Sequence, residues 1–356
     1  MNNSIDPSQT GKKFPHSRRA LFVRLDRIGD LVLTLPTDQS GVSAEVDWWI
    51  PKGLSFVTDH ATPPRSAEEF ARTKTFAECV ALAKLVRKKN YDLAVVFHAP
   101  WWVGFVLWLA RIPVRIGVQS QWHSFVFFNR GIRQKRSRAE FSELEYGFRL
   151  LEEGLGLAIG SLPRSTLKLT ASPAANSAVG ASDKSGPPAR TGTGLTPGGY
   201  VVVHPGMGGS ALNWSTDRYA ELIHELAREK KIAITGTASD ESFLSPLRKK
   251  LAADDDLRKR VVWLDGKLNG PQLLSVLGNA YAVVAPSTGV LHLAASLGVP
   301  TVGLFSQVRV QRAVRWGPQG PKAAVIEAPP GAEGPESMDH ISVEQVVRAI
   351  HRLVRN

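Results

Sequence analysis

Residues 283–305 have the sequence VVAPSTGVLHLAASLGVPTVGLF, which predicts a strand, a tight turn, a helix and a second strand in succession. The apolar run before Pro286 is typical of a buried parallel strand, and the Pro-Ser-Thr-Gly sequence that follows favours a turn. A turn that leads into a helix N-terminus gathers unpaired backbone amides, hydroxyl groups and the positive end of the helix dipole. His292 falls on the first turn of this helix. The stretch therefore predicts either a phosphate-binding site or an ordinary capped junction with a surface histidine.

The same alternation of strands and helices runs through both halves of the chain. In the first half, residues 20–23, 45–50 and 91–97 predict strands, and residues 67–89 predict an amphipathic helix. The second half begins the pattern again with a predicted strand at 200–204. Alternating strands and helices indicate parallel sheets covered by helices. We therefore expect an α/β protein with two Rossmann-like, doubly wound domains that face a cleft, and this cleft is the expected ligand site.

Composition and pattern divide the chain into five predicted parts. These are a flexible tail (1–18), an N-terminal Rossmann-like domain (19–169), a low-complexity linker (170–199), a C-terminal Rossmann-like domain (200–340) and a C-terminal helix (341–356). The linker is rich in Ala, Ser, Gly and Pro and has almost no large apolar side chains, so it cannot form a core.

The charge balance of the chain predicts an acidic partner. The 356 residues carry a net charge of +12, which suits nucleic acid, anionic lipid or a phosphorylated substrate. We do not expect nucleic acid, because the basic residues are not interleaved with aromatic ones along a recognisable binding motif. The apolar run 101–110 is about half as long as a membrane-spanning helix, so it could lie on a bilayer but not cross it.

The single cysteine and the N-terminal sequence bear on the cellular compartment. Cys79 excludes a disulfide framework and a cysteine metal cluster, and is typical of a reducing compartment. No apolar segment precedes Ala20, so we expect no secretory signal and a cytoplasmic protein.

Asp30 is a candidate functional carboxylate. It lies in the sequence RLDRIGDLVLTLP (24–36), near the predicted start of a helix and at the carboxyl edge of the first predicted strand. A carboxylate at a helix start that faces a cleft can take a proton from a bound hydroxyl group. The alternatives are that Asp30 only caps the helix, or that Asp26 is the working carboxylate.

Residues 129–138, NRGIRQKRSR, carry five positive charges in ten positions. Such a run is either a solvated loop or a docking site for a polyanion. The candidate polyanion-binding residues are Arg130, Arg133, Lys135, Arg136 and Arg138.

Four motifs, in this order and spacing, resemble glycosyltransferase family nine, the ADP-heptose:lipopolysaccharide heptosyltransferases of the GT-B fold. They are RLDRIGDLVLTLP, HPGMGGSALNWSTDRYAELI (204–223), ITGTASDE (234–241) and the long segment from LDGKLNG to TVGLF (264–305). The sequence SELEYGFRLLEEGLGL (142–157) also looks like the helix that closes the first domain of that family.

The resemblance implies an inverting, metal-independent transferase with no cofactor. Its donor would be an ADP-sugar that carries a heptose or a related sugar and is bound by the C-terminal domain. The N-terminal domain would bind the acceptor, through the basic run at 130–138. The acceptor would be a lipopolysaccharide inner core or a similar acidic, lipid-linked oligosaccharide, at the cytoplasmic face of the inner membrane of a Gram-negative bacterium. Asp30 matches the general base of the family. We expect peripheral contact with anionic membrane, through the basic run beside Trp101, Trp102, Phe105 and Trp108.

The resemblance also implies a set of donor-binding residues. This sequence matches four features of the family: a loop that binds the diphosphate, an acidic residue that binds the ribose, a residue near the base, and a glycine-rich turn that closes on the phosphates. The implied residues are Gly206, Gly208, Gly209, Ser210, Asn213, Asp240 (with Glu241 beside it), Leu268, Ser287, Thr288, Gly289 and His292.

Two positions depart from the family pattern. Many relatives have Lys where this chain has Leu212, and Asp where it has Ser287. The first departure removes a cation from the leaving group, which Arg24, Arg27 or Lys267 could replace. Donor identity is therefore open, and altered donor specificity or a non-catalytic module that binds anionic glycolipid are the alternatives. A dinucleotide oxidoreductase is disfavoured, because no G-x-G-x-x-G sequence opens a helix after a strand.

Overall fold

The computed structural model describes residues 17–171, 194–208, 211–332 and 334–355. Within these residues the chain forms two six-stranded sheets, and every strand pairs in parallel with its neighbours. Helices flank both sheets, so the predicted fold class of two Rossmann-like domains is confirmed.

The first sheet has the strand order β3-β2-β1-β4-β5-β6. Its strands are β1 (Ser17–Arg24), β2 (Ser43–Pro51), β3 (Ser66–Phe70), β4 (Leu93–His98), β5 (Val114–Val118) and β6 (Arg130–Ile132). The helices of this domain are α1 (Ile28–Thr34), α2 (Ser55–Asp59), α3 (Phe76–Lys88), α4 (Trp101–Leu109), α5 (Trp122–Phe127) and α6 (Glu143–Leu155).

The second sheet has the strand order β12-β11-β10-β7-β8-β9. Its strands are β7 (Tyr200–Val203), β8 (Lys231–Ile234), β9 (Val261–Trp263), β10 (Ala282–Pro286), β11 (Thr301–Phe305) and β12 (Ala323–Glu327). The helices are α7 (Thr216–Leu226), α8 (Glu241–Leu251), α9 (Asp255–Arg260), α10 (Gly270–Gly278), α11 (Gly289–Ser296), α12 (Ala313–Trp316) and α13 (Val343–Arg355).

Several predicted boundaries differ from the observed ones. The helix predicted at 67–89 is wrong in its first part, because residues Ser66–Phe70 form β3 and pair with β2 at the edge of the sheet. Strand β1 begins at Ser17, inside the predicted tail. Most of the predicted linker lies outside the described residues. Leu169, just before the linker, and Leu195, near its end, are buried in the apolar core.

Helices α1 and α11 join the two domains at the cleft. One buried apolar cluster runs across this junction and includes Leu31 of α1 and Leu293 of α11. Two glycines let the helices approach closely. A Cβ atom at Gly29 would lie 2.8 Å from Cδ2 of His292, and one at Gly289 would lie 2.0 Å from Cγ2 of Ile28. The N-terminus of α1 therefore lies directly against the N-terminus of α11.

Candidate active site

Asp30 lies in the first turn of α1, close to the carboxyl end of β1. The N-cap of α1 is Arg27, so the structure does not support the alternative in which Asp30 is the N-cap. The carboxylate instead accepts a hydrogen bond from Nη2 of Arg24, and 13% of its side chain is exposed. Asp30 is thus a nearly buried carboxylate that keeps a small exposed fraction.

Arg24 is the hub to which the acidic groups of this site attach. It is the last residue of β1, and only 2% of it is exposed. Besides Asp30, it donates from Nε to Oδ1 of Asp26 at 2.8 Å and from Nη1 to Oε1 of Glu143 at 3.1 Å. Three carboxylates therefore share the guanidinium of Arg24.

Glu143, the first residue of α6, connects this hub to the second domain. Its side chain is fully buried, and it accepts from Nη1 of Arg136 at 2.6 Å and from Nε of Arg315 at 3.2 Å. Burial opposes ionisation, but Arg24, Arg136 and Arg315 lower the pKa of Glu143 to about 2. We call these six groups the charge cluster: Arg24, Asp26, Asp30, Arg136, Glu143 and Arg315.

The pKa of Asp30 is raised to about 6, in the opposite direction to that of Glu143. Burial is the largest cause, Arg24 opposes it, and the negative charges of Asp26 and Glu143 raise the pKa further. A carboxylate with this pKa is mostly ionised at neutral pH and is still basic enough to accept a proton. Its environment therefore suits a general base.

The turn before α11 leaves two polar atoms without partners. Thr288 is the N-cap of α11 but makes no side-chain capping hydrogen bond. Its Oγ1 atom is buried without a hydrogen-bond partner among the described residues, and so is Nδ1 of His292. Buried polar atoms normally find partners, so orphaned ones at a helix N-terminus indicate a place for a ligand. Ser287 and Gly289 are half-buried beside Thr288.

His292 differs from the surface histidine considered as an alternative. Only 3% of the residue is exposed, and burial lowers its pKa to about 4. The imidazole is therefore neutral at pH 7, and it packs against Gly29 at the start of α1. It links α11 to α1, the helix that carries Asp30, and it adds no positive charge.

Asp240 holds the glycine-rich turn in place. Its Oδ1 atom accepts from the amide of Gly208 at 3.3 Å, and its Oδ2 atom accepts from the amide and hydroxyl of Thr237 at 2.8 and 2.7 Å. A Cβ atom at Gly206 would lie 2.3 Å from Cγ of Asp240, which explains the glycine there. A role of Asp240 in binding ribose stays a prediction. Gly209 and Ser210, the end of this turn, lie outside the described residues.

The remaining predicted donor residues flank this turn. Asn213 donates to the carbonyl of Pro205 and accepts from the Tyr219 hydroxyl at 2.9 Å, so it braces the turn against α7. Leu268 is half-buried, and Leu212 donates its amide to Oε1 of Gln311 at 3.1 Å.

The five predicted acceptor-binding residues do not act as one group. Arg136 belongs to the charge cluster, and Arg130 donates to the carbonyl of Gly154 on α6 at 3.0 Å. Arg133 and Lys135 are exposed, and exposed Arg138 lies 3.6 Å from Glu140.

Glu143 and Arg315 are functional candidates that the sequence patterns do not predict. Glu143 lies in the quoted motif SELEYGF, but the periodicity there only predicts a helix. Their contact joins residues 172 positions apart, and no local pattern reports a pair at that distance.

The described residues contain no group of three or more His, Cys, Asp or Glu side chains that could hold a metal ion. None of the helices described is long and apolar enough to cross a membrane.

The chain has relatives of known family and of known structure. The profile described as glycosyltransferase family 9 (heptosyltransferase) matches residues 79–341. A Haemophilus influenzae protein that is provisionally named a glycosyltransferase is 26% identical over 280 residues, which are 77% of this chain and 78% of that protein.

Among solved structures, E. coli ADP-heptose LPS heptosyltransferase II superposes with a TM-score of 0.76 at 19% identity, over 95% of this chain and 98% of that one. A family 9 glycosyl transferase from Veillonella parvula gives a TM-score of 0.75 at 18% identity, over 95% and 97% of the two chains. The superpositions confirm the expected GT-B-like architecture.

Proposed function

We propose a donor, an acceptor and a general base for this chain, which belongs to glycosyltransferase family 9 (heptosyltransferase) and is a glycosyltransferase. The donor is a nucleotide diphosphate sugar, with ADP-heptose as the first candidate. The acceptor is a hydroxyl group of an acidic, lipid-linked oligosaccharide of the lipopolysaccharide inner-core type. The reaction inverts the anomeric centre and uses no metal ion.

One observation carries the proposal: the general-base candidate and the diphosphate loop lie side by side. A Cβ atom at Gly29, the neighbour of Asp30, would lie only 3.6 Å from Cα of Gly289 at the start of α11. A donor diphosphate bound at the N-terminus of α11 would thus place its sugar within reach of the Asp30 side of the cleft. Proximity of base, acceptor and leaving group is what a single displacement needs.

The proposed chemistry is one in-line substitution. Asp30 accepts the proton of the acceptor hydroxyl while that oxygen forms a bond to the anomeric carbon. The bond between this carbon and the diphosphate oxygen breaks on the opposite face, which inverts the configuration. The α11 amides and the Thr288 hydroxyl stabilise the negative charge that develops on the diphosphate.

Two features support the choice of donor and acceptor. The E. coli protein that superposes over nearly the whole chain is named for ADP-heptose and lipopolysaccharide. The net charge of +12 suits an acidic acceptor. Because Leu212 and Ser287 depart from the family pattern, the test also includes other nucleotides.

The test combines nucleotide binding with turnover. ADP, UDP, GDP and NAD are compared by thermal shift, and ADP is expected to raise the melting temperature most. At 100 times its Kd a ligand adds about 2.7 kcal/mol to the free energy of unfolding. Incubation with ADP-heptose and a truncated lipopolysaccharide should then release ADP, with or without EDTA.

Each other outcome contradicts a stated part of the proposal. Stabilisation by UDP or GDP in place of ADP would refute the donor, and loss of turnover in EDTA would refute metal independence. Binding of ADP without transfer to any acidic glycolipid would favour the non-catalytic module.

A further inference from the structure

Two short helices of the first domain carry stripes of exposed apolar side chains. On α4, Trp101 and Trp108 are 46% and 48% exposed, and both rings contact Phe105 between them, at centroid distances of 6.3 and 6.2 Å. These positions follow i, i+4, i+7 spacing, which places them on one face of the helix.

Helix α5 carries a second stripe of the same kind. Trp122, Phe125 and Val126 are 74%, 50% and 58% exposed. Their spacing of i, i+3, i+4 again defines one face of a helix. A six-residue helix that exposes three large apolar side chains needs a partner, because exposed apolar surface on this scale is typical of an interaction site.

The two helices pack against each other through Phe127. Its ring centroid lies 5.9 Å from that of Phe105 and 6.2 Å from that of Trp108. A Cβ atom at Gly104 would lie 2.9 Å from Cβ of Phe127, so the glycine lets α5 lie directly on α4. The stripes therefore border one surface. We call it the aromatic surface: Trp101, Phe105, Trp108, Trp122, Phe125 and Val126.

The chain segment that carries this surface, residues 93–139, is basic. Between Asp92 and Glu140 there is no acidic residue and there are seven basic ones. The basic residues are Arg111, Arg115, Arg130, Arg133, Lys135, Arg136 and Arg138. Arg133 lies over the Phe125 ring at 5.6 Å, and Arg111, Arg133 and Lys135 are exposed. Positive charge thus borders the apolar side chains directly.

We propose that the aromatic surface docks this protein on an anionic lipid bilayer. Tryptophan and phenylalanine enter the boundary between headgroups and acyl chains, while arginine and lysine attract anionic headgroups. With nine and six residues, α4 and α5 can lie in this boundary but cannot span the bilayer. Docking on a bilayer would bring the protein close to a lipid-linked acceptor, and this role of the surface rests on the proposed function. Bilayer binding itself requires no sugar transfer.

Charge decides between a bilayer and a second copy of the chain. A symmetric dimer formed by this face would bring two identical basic surfaces together, and their repulsion opposes that pairing. An anionic bilayer instead satisfies both the apolar stripes and the surrounding positive charge.

The structure also corrects the sequence-based view of the surface, because Trp102 is buried at 1% exposure and Arg136 points into the charge cluster.

The test is co-sedimentation of the full chain with vesicles of phosphatidylcholine alone or with added phosphatidylglycerol. We expect binding to the anionic vesicles that weakens as salt is raised. Arg133→Ser/Lys135→Ser should lower the partition coefficient about 30-fold, given about 1 kcal/mol for each basic residue near an anionic surface. Trp122→Ser/Phe125→Ser should lower it about tenfold or more at any salt concentration.

Matched controls lie elsewhere on the surface. Ile159→Ser removes an apolar side chain that is 46% exposed in the same domain, and Arg258→Ser/Lys259→Ser removes two exposed charges from α9. Both controls should bind vesicles as the parent does. Light scattering on the free protein reports self-association through this face.

Failure of the parent to bind anionic vesicles would overturn the proposal, and so would parental binding by both test variants. Dimerisation that only Trp122→Ser/Phe125→Ser abolishes would assign the surface to a second copy instead. Thermal shifts with ADP, measured on the same samples, distinguish failure of the docking surface from failure of the proposed function. If these shifts persist while vesicle binding fails, the docking surface is wrong and the proposed function stands.

Discussion

Replacing Asp30 by Asn should make the protein more stable and much less active. The pKa of Asp30 is about 6 in the folded chain, against an ordinary value of 3.8. Above pH 6 the carboxylate is ionised in both the folded and the unfolded state, and a pKa difference of about two pH units then costs the folded state about 3 kcal/mol. Below pH 3.8 it is protonated in both states, and the cost disappears. Asn does not ionise, and it leaves Arg24 with two carboxylate partners.

The expected result is therefore a pH-dependent gain in stability together with a loss of function. At pH 8 the melting temperature of Asp30→Asn should exceed that of the parent by several degrees, and at pH 3.5 the two should agree. Turnover should fall by about 10²-fold or more, as for loss of a general base, while the thermal shift with ADP persists.

Asp26→Asn is the matched control for this experiment. Asp26 is bonded to the same arginine, and its side chain is 15% exposed, against 13% for Asp30. We expect a much smaller loss of turnover from this variant. If Asp30→Asn were less stable than the parent at pH 8, the carboxylate would be a structural partner of Arg24, and the pKa argument would be refuted. Parental turnover by Asp30→Asn would refute its role as the base.

Two further predictions concern the groups around Asp30. Since the charge of Glu143 raises the pKa of Asp30, Glu143→Gln should move the inflection of kcat/KM, expected near pH 6 in the parent, to lower pH; an unmoved inflection would contradict this coupling. Gly289→Ala should lower the free energy of unfolding by about 1–3 kcal/mol and reduce turnover, because its Cβ would meet Ile28 at 2.0 Å. Ile28→Ala in the same chain should restore much of the lost turnover, and failure of this rescue would show that helix separation is not the cause.

The sequence patterns placed Asp30 at a helix start and the Ser-Thr-Gly turn between a strand and a helix, as the structure has them, because each position is encoded locally. A turn after a buried strand and a helix start after another are short-range patterns, and parallel sheets bring the carboxyl ends of their strands to one edge. This reasoning placed both Asp30 and Thr288 at the cleft. It did not predict the contact between α1 and α11. That contact depends on Gly29 and Gly289, which lie in different domains, and no local sequence pattern pairs them.

The error at residues 67–89 has a different cause. Residues 66–70 have no strong strand propensity, and they become β3 because the edge of β2 is available for pairing. A signal for the correct helix start was present in the sequence. Thr75 and Glu78 form a capping box, in which the Glu78 carboxylate accepts from the Thr75 amide at 2.7 Å. That pattern would have moved the predicted helix start to Phe76.

The charge cluster explains how one site holds carboxylates with opposite pKa shifts. Glu143 draws on three guanidinium groups and stays ionised, whereas Asp30 shares a single arginine with two competitors and keeps a pKa near neutrality. One of the three guanidinium groups, that of Arg315, comes from the second domain. Its attraction for Glu143 therefore exists only when the domains are arranged as they are here. Glu143 is one of the groups that raise the pKa of Asp30, so the charge cluster around Asp30 includes a contact between the two domains.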